Sequence, residues 1–406
     1  METTKGVLIV CDGLGDLPVG GKTPLQRARK PNLDRLAEEG ACGLLHAIGV
    51  GITPGSDTSH LALLGYDPET YYRGRGPFEA LGMGVRLEHG DIAFRCNFAT
   101  VDERWNVVDR RAGRIKEGGG ELGKALDGME IDGVKVVFVP SVEHRAALVL
   151  RGEGLSPKVS DTDPHGPGKV QESKPLDASP EARRTADVLN KFTRMAYERL
   201  RAHPLNVKRA KNNLPQANIV LARGAGMFER VPSLKERFGI TSACVAGGAL
   251  YKGVASYVGM ELIDVPGATG RTDSNLRAKA VAALAALSTH DFVFLHVKGT
   301  DSASHDGDLK EKVAMIERID KMVGMLMREA RDAHIAITSD HSTPVSLRDH
   351  SWHPTPIALW GPRVRRDGVK RFDELACGQG ALGHLRGLEV LPLLLAHMGR
   401  TKMYGS

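Results

Sequence analysis

At 406 residues the chain is long for a single hydrophobic core, which predicts two domains or three. A formal net charge of +6, with Lys and Arg dispersed and aromatics at 5%, lacks the concentrated basic stripe of a nucleic-acid binder and suits a small anionic substrate. No run of ~20 apolar residues is present to span a membrane.

Met1–Lys5 leads into an apolar stretch too short for a signal peptide. The cysteines (Cys11, Cys42, Cys96, Cys244, Cys377) are scattered, odd in number and without a CxxC pair. That excludes a disulfide framework and a zinc ribbon and fits a reducing compartment. The expectation is a cytoplasmic protein with neither nucleic-acid nor membrane partners.

Residues 6–11 (GVLIVC) are continuously apolar and read as a buried strand, ending at Asp12 in the turn Asp12-Gly-Leu-Gly-Asp16. A helix follows at 31–39, with Pro31 in its first turn and Gly40 as its stop. The bend 49–60 (GVGITPGSDTSH) is broken by glycines and Pro54, so that Ser56 or Asp57 caps a short helix over 61–64. A hydroxyl at a helix start in such a bend can meet phosphate; the plain alternative is an N-cap and nothing more. Residues 71–77 form a basic, glycine-rich connector.

From about 83 to 168 the texture changes to short strands (92–98, 134–139, 146–150), a helix near 122–126, and many arginines. This predicts a small α+β domain inserted into a core made of 1–82 and 169–406. The proline-studded stretch 156–180 reads as the return hinge. The core then resumes with an amphipathic helix over 181–200, strands at 217–222 and 241–246, Lys252, and an alanine-rich helix over 276–287. A strand at 292–297 precedes Asp301. The helix 310–330 carries apolar residues at three- and four-residue steps and delivers the chain to a strand at 334–340, with another strand at 355–360. Alternating strands and helices predict an α/β fold with a parallel sheet covered on both faces.

Ligands of such sheets bind beyond the carboxyl ends of the strands, where Asp12, Asp301 and Asp340 all fall. In Asp301-Ser-Ala-Ser-His305 the four-residue spacing puts two ligands on one helical face, while Asp340-His341 can flank two neighbouring ions. His350 and His353 add imidazoles in a nearby loop. Carboxylates and imidazoles without a thiolate suit Mn²⁺, Zn²⁺ or Mg²⁺. Several such pairs at one sheet edge point to a dinuclear site for phosphoryl transfer, with Ser56 as nucleophile. His296, inside its apolar strand, reads as a core histidine, and His60 as an ordinary helix residue.

The runs Cys11–Asp16, Thr53–Asp57, Leu64–Pro68, Gly74–Ala80, Ser160–His165 and Thr338–His341 together resemble the archaeal-type cofactor-independent phosphoglycerate mutases of the alkaline phosphatase superfamily. The resemblance covers nearly the whole chain. It implies interconversion of 2- and 3-phosphoglycerate, in glycolysis and gluconeogenesis, through a phosphoserine at Ser56 without 2,3-bisphosphoglycerate. It implies an alkaline-phosphatase-like core with two divalent ions, Mn²⁺ first, with Mg²⁺, Zn²⁺ or Co²⁺ as alternatives. One ion takes Asp12, Ser56, Asp340 and His341. The other takes Asp301, His305 and a histidine before a Pro-x-Pro, where spacing favours His350 over His353. Lys252 resembles the lysine that contacts the transferred phosphate. The inserted domain resembles a lid carrying glycerate contacts, with Arg110, Arg111, His144 and Arg145 as candidates. The rival readings are a phosphatase or a mutase-like homoserine kinase on the same core. Homo-oligomerisation is left open.

Overall fold

The protein is described here by a computed structural model covering residues 3–401, 403 and 405. Met1 and Glu2, part of the stretch weighed above as a leader, lie outside the described residues. The chain divides into two compact units, one of residues up to Tyr72 with those from Val231 onward, the other of Arg73–Arg230. In chain order the strands are β1 (Gly6–Cys11), β2 (Ala41–His46), β3 (Ile92–Val101), β4 (Val107–Asp109), β5 (Glu130–Ile131), β6 (Val134–Pro140), β7 (Arg145–Arg151) and β8 (Ile219–Met227). They continue with β9 (Ser242–Val245), β10 (Glu261–Leu262), β11 (Phe292–Val297), β12 (His334–Thr338), β13 (Thr355–Trp360) and β14 (Gly383–Arg386).

In the first unit, among the described residues, eight strands form one sheet in the order β10-β9-β11-β1-β12-β13-β2-β14. All pairings are parallel except those of β13, which runs antiparallel to both β12 and β2. The sheet is parallel-rich, as expected from the sequence, and departs from that pattern at this strand. A parallel neighbour needs a crossover, usually helical; residues 339–354 between β12 and β13 contain no helix, so the chain turns back on itself.

The central strands are buried on both faces, which is why they are apolar throughout rather than alternating. Val7, Ile9, Val293, Leu295, Ile335 and Ile337 pack against the helices Pro31–Glu38, Leu276–Thr289 and Leu309–Glu329. The helix Gly387–His397 packs on β1 and β12, and also against the helix Ser56–Leu63. The register pairs Cys11 with Val297 and Val10 with Thr338, so three strands end level with one another. The residues just beyond them, including Asp12, Lys298 and Ser339, therefore emerge at one edge.

The second unit holds an antiparallel sheet, β4-β3-β7-β6-β5, with β8 also paired to β3. The helix Pro180–Arg201 covers one face with Val188, Leu189, Phe192, Ala196 and Leu200. The unit is wider than the 83–168 expected from the sequence. The helix at 180–201 and the strand β8, assigned above to the core, bury their apolar residues on this sheet instead. At the other boundary, Gly76 packs so tightly on β3 that a Cβ there would lie 1.9 Å from the Ala93 carbonyl oxygen. The connector 71–77 is thus partly built into the unit rather than being solvated throughout.

Candidate metal centre and active site

The first correction within the site concerns Ser56. The helix begins at Ser56 itself, not at 61, and its N-cap is Gly55, with no side-chain capping bond. Ser56 therefore does not spend its hydroxyl on the helix. Its Oγ lies 3.2 Å from His341 Nε2, with the residue only 7% exposed.

Around it stand three carboxylates from three strand ends. Asp340 Oδ1 accepts from the Gly13 backbone N–H at 3.2 Å, and Asp340 Oδ2 lies 3.1 Å from His341 Nε2. Asp12 Oδ1 is 3.6 Å from the same nitrogen. Asp301 Oδ1 faces His305 Nε2 at 3.3 Å and His350 Nε2 at 3.8 Å. The His341 and His350 rings stack with centroids 3.6 Å apart. Asp12 with Asp340 and His341, and Asp301 with His341 and His350, each bring ligand atoms within 4.8 Å of one another.

Burial works against ionisation of all three acids, and nearby cations overcome it. Lys298 holds Asp12 and Asp301 low, and His341 does the same for Asp340. Asp12 Oδ1 and Asp340 Oδ2 are buried and receive no well-formed hydrogen bond, with imidazole nitrogens as their neighbours. Such oxygens, beside imidazole nitrogens, fit a divalent cation.

The imidazoles are oriented for the same role. His305 Nδ1 lies 2.8 Å from the Arg348 carbonyl and His350 Nδ1 lies 3.1 Å from the Pro54 carbonyl. A carbonyl can only accept, so Nδ1 carries a proton in each ring, and Nε2 is the nitrogen that faces Asp301. His353 turns elsewhere, with its Nδ1 3.0 Å from Ser351 Oγ and its ring stacked on Trp352. Of the two histidines left open above, His350 is the one brought to Asp301. Bonding to Asp301, against burial, raises the His305 pKa to about 9, whereas burial lowers that of His350.

Three further residues face the site: Lys298, which the sequence reading does not single out, and His296 and His60, whose readings as a core histidine and an ordinary helix residue are corrected here. Lys298 Nζ lies 2.7 Å from Asp301 Oδ2 and 3.5 Å from Asp12 Oδ2, touching one acid from each expected ion site. His296 Nε2 is 3.1 Å from Asp12 Oδ2, and its ring stacks on Tyr251 at 3.5 Å. Burial lowers the His296 pKa to about 3, so it stays neutral and donates to Asp12. His60, one turn after Ser56, places Nδ1 3.5 Å from Asp340 Oδ2. The only signal for His60 and His296 was a histidine inside a buried element, which also describes a core residue. Lys252, by contrast, has its Nζ on Asp264 Oδ1 at 2.6 Å.

In the second unit, Arg110 meets the buried Asp163 through two bonds, Nε–Oδ1 at 3.0 Å and Nη2–Oδ2 at 2.6 Å. Arg223 Nη1 shares Oδ2 at 2.6 Å. Arg95 lies 3.4 Å from Glu79; burial, against which that carboxylate works, and the charges of Arg75, Arg223 and Arg145 lower its pKa to about 10. Arg145 thus belongs to a cluster of guanidinium groups, of which Arg75, Arg95 and Arg223 were not singled out in the sequence. Arg111 is exposed, and His144 is buried with its pKa pushed down to about 4 by burial and by Arg145.

A carboxylate–imidazole centre at the carboxyl edge of a parallel-rich sheet defines a class of α/β enzymes that use divalent metals. The comparisons narrow that class. A family profile described as 2,3-bisphosphoglycerate-independent phosphoglycerate mutase matches residues 37–206. The mutase of that name from Methanocaldococcus jannaschii is 50% identical over 411 residues, covering all of both chains. That from Methanococcus maripaludis is 49% identical, covering 99% of this chain and all of the relative. Among solved structures, a Pyrococcus horikoshii protein matches with a TM-score of 0.88 at 37% identity, over the whole of both chains. The cofactor-independent phosphoglycerate mutase of Thermoplasma acidophilum matches with a TM-score of 0.73 at 38% identity, over 98% of this chain and all of the other. The chain belongs to the 2,3-bisphosphoglycerate-independent phosphoglycerate mutases, and so to the isomerases that move a phosphoryl group within one molecule.

Proposed function

We propose that this protein interconverts 2- and 3-phosphoglycerate through a phosphoserine on Ser56 at a two-ion centre. The observation that carries the reading is the Ser56 Oγ, not used in helix capping and 3.2 Å from His341 Nε2, at the edge of a cluster of three ionised acids. Asp12, Ser56, Asp340 and His341 would hold one ion, and Asp301, His305 and His350 the other. Mn²⁺ is the first candidate for this donor set. Bound there, the ions would lower the pKa of the serine hydroxyl and offset charge on the phosphoryl oxygens.

Ser56 Oγ attacks phosphorus as the bond to the substrate's 3-oxygen breaks, and the proton lost from Oγ is matched by one gained on that oxygen. The glycerate turns, its 2-oxygen attacks phosphorus, and the Oγ–P bond breaks to regenerate the serine. Lys298 supplies positive charge beside the reacting group, and Lys252 remains a candidate for the same contact. In the second unit the guanidinium cluster that includes Arg145 has the charge to hold a carboxylate, and Arg110, Arg111 and His144 remain candidates for further contacts there. Buried, free cysteines support a reducing, cytoplasmic setting. Among the described residues no helix is long and apolar enough to cross a membrane.

A mutase differs from a phosphatase in whether water reaches the phosphoserine. Keeping hydrolysis below one turnover in about a hundred requires ~2.7 kcal/mol of barrier difference. The test is to strip the protein with chelator, reload it with Mn²⁺, supply 3-phosphoglycerate and follow both 2-phosphoglycerate and free phosphate. The mutase reading expects isomer with little phosphate; phosphate without isomer would overturn it.

A further inference from the structure

We propose that Thr343 is a positioning residue that couples the two ion sites, tying Asp301 of one to His341 of the other through a single hydroxyl. The proposal rests on the two-ion reading above and adds a link between its halves. Thr343 Oγ1 lies 3.0 Å from Asp301 Oδ1 and 2.9 Å from His341 Nδ1, and the residue is fully buried.

The direction of each bond follows from chemistry. An ionised carboxylate only accepts, so the one hydroxyl proton goes to Asp301. The hydroxyl oxygen then accepts, and the proton of the second bond must sit on His341 Nδ1. The reverse arrangement, with Thr343 donating to His341, would leave two acceptors 3.0 Å apart in a dry interior. With Nδ1 committed to Thr343, Nε2 is the ring nitrogen that faces Asp12, Asp340 and Ser56 and the one left to bind an ion. An acid that serves one ion thereby selects the tautomer of a ligand that serves the other.

The surroundings hold the hydroxyl in this position. Lys312 Nζ donates to the Thr343 carbonyl at 3.1 Å, and a Cβ on Gly13 would come within 2.6 Å of Thr343 Oγ1. Carbonyls orient His305 and His350 independently. Only His341, among the three expected imidazole ligands, takes its orientation from a group bonded to the other ion's acid.

The test uses the full chain and reads metal binding rather than turnover. Mn²⁺ is titrated into wild type, Thr343→Val and Thr343→Ser. The valine variant is expected to lose about 10- to 100-fold in affinity at both sites, and the serine variant to retain wild-type affinity. Wild-type affinity at both sites in Thr343→Val, or a loss confined to one site, would overturn the coupling. In parallel, nitrogen NMR of the Zn²⁺-loaded wild type reads the His341 tautomer. Nδ1 protonated is expected; Nδ1 bare would overturn the proposal even if Thr343→Val fails to fold. A wild type that takes up fewer than two ions would contradict the two-ion reading and the coupling with it, whereas two ions bound independently would contradict the coupling alone.

Discussion

Replacing Lys312 with methionine should cost the first unit about 4 kcal/mol. Lys312 lies in the helix Leu309–Glu329 with its side chain fully buried. Its ammonium donates to Asp16 Oδ2 at 2.8 Å, Gly13 O at 2.9 Å, Thr343 O at 3.1 Å and Gly15 O at 3.3 Å. It thus clamps the turn after Asp12 to the loop after His341. Removing one member of a buried ion pair costs ~3–5 kcal/mol. Asp16 keeps backbone donors from Leu17 and Val345, which sets that cost near the lower end. Gly15 O keeps the Thr343 N–H, so the abandoned carbonyls add only ~1 kcal/mol. For a unit of this size ~4 kcal/mol corresponds to a fall in Tm of roughly 8–16 °C. Denaturant unfolding of Lys312→Met, Asp16→Asn and the double variant measures it. The double variant should recover at least half of the loss, because the stranded charge is gone. A loss below about 1 kcal/mol in Lys312→Met, or a double variant as unstable as the sum of the singles, would refute the clamp.

Burial raises the Glu374 carboxyl from 4.5 to about 7, despite hydrogen bonds from Thr23 and the Asp16 backbone. The folded state therefore binds more protons than the unfolded state between those values, and this group's contribution to stability falls as pH rises through that window, by up to about 3 kcal/mol. His144, lowered from 6.5 to about 4, contributes with the opposite sign, so the check is the difference between wild type and Glu374→Gln. Urea midpoints from pH 4 to 8 should fall less steeply in the variant; parallel curves would contradict the burial of that acid. Gly13 has φ +63°, and a Cβ there would meet Thr343 Oγ1 at 2.6 Å and Asp301 Cβ at 2.8 Å. Gly13→Ala should lose roughly 2–5 kcal/mol and weaken Mn²⁺ binding, and an unchanged melting curve would count against the site packing. At an Mn²⁺ concentration ~100-fold above its Kd, each bound ion should stabilise the protein by about 2.7 kcal/mol. Asp340→Asn should lose the increment of one ion and keep the other, as thermal shift with and without chelator would report; loss of neither would contradict its role.

Much of this arrangement was legible in the chain. β1, β11 and β13 fall at the residues marked by their apolar runs, because a strand buried on both faces leaves an uninterrupted hydrophobic signature. The acids were found because they follow such runs. Lys298, His296 and Thr343 were not, since each gains its place in the site through a contact distant in sequence, with Asp12, Asp12 and Asp301 respectively, that leaves no local signature. Arg95 and Arg223 were hidden for the same reason: they lie opposite one another on β3 and β8 and become neighbours only once those strands pair. Ser56 illustrates a narrower failure. A serine in a glycine-rich bend before a helix is the pattern of an N-cap, and only the placement of Gly55 at the cap shows that its hydroxyl is spared. The extent of the second unit was misjudged because an amphipathic helix does not say which sheet it will cover.

The central claim is that the phosphoryl group passes through Ser56. The most direct measurement is to mix Mn²⁺-loaded protein with 3-phosphoglycerate, quench in acid within the first turnovers, and locate any phosphoryl group by intact mass and peptide mapping. The account predicts one phosphoryl group on Ser56, absent from Ser56→Ala, which should also lose mutase activity. A phosphoryl group on another residue, or a Ser56→Ala protein that still interconverts the two phosphoglycerates at the wild-type rate, would contradict it.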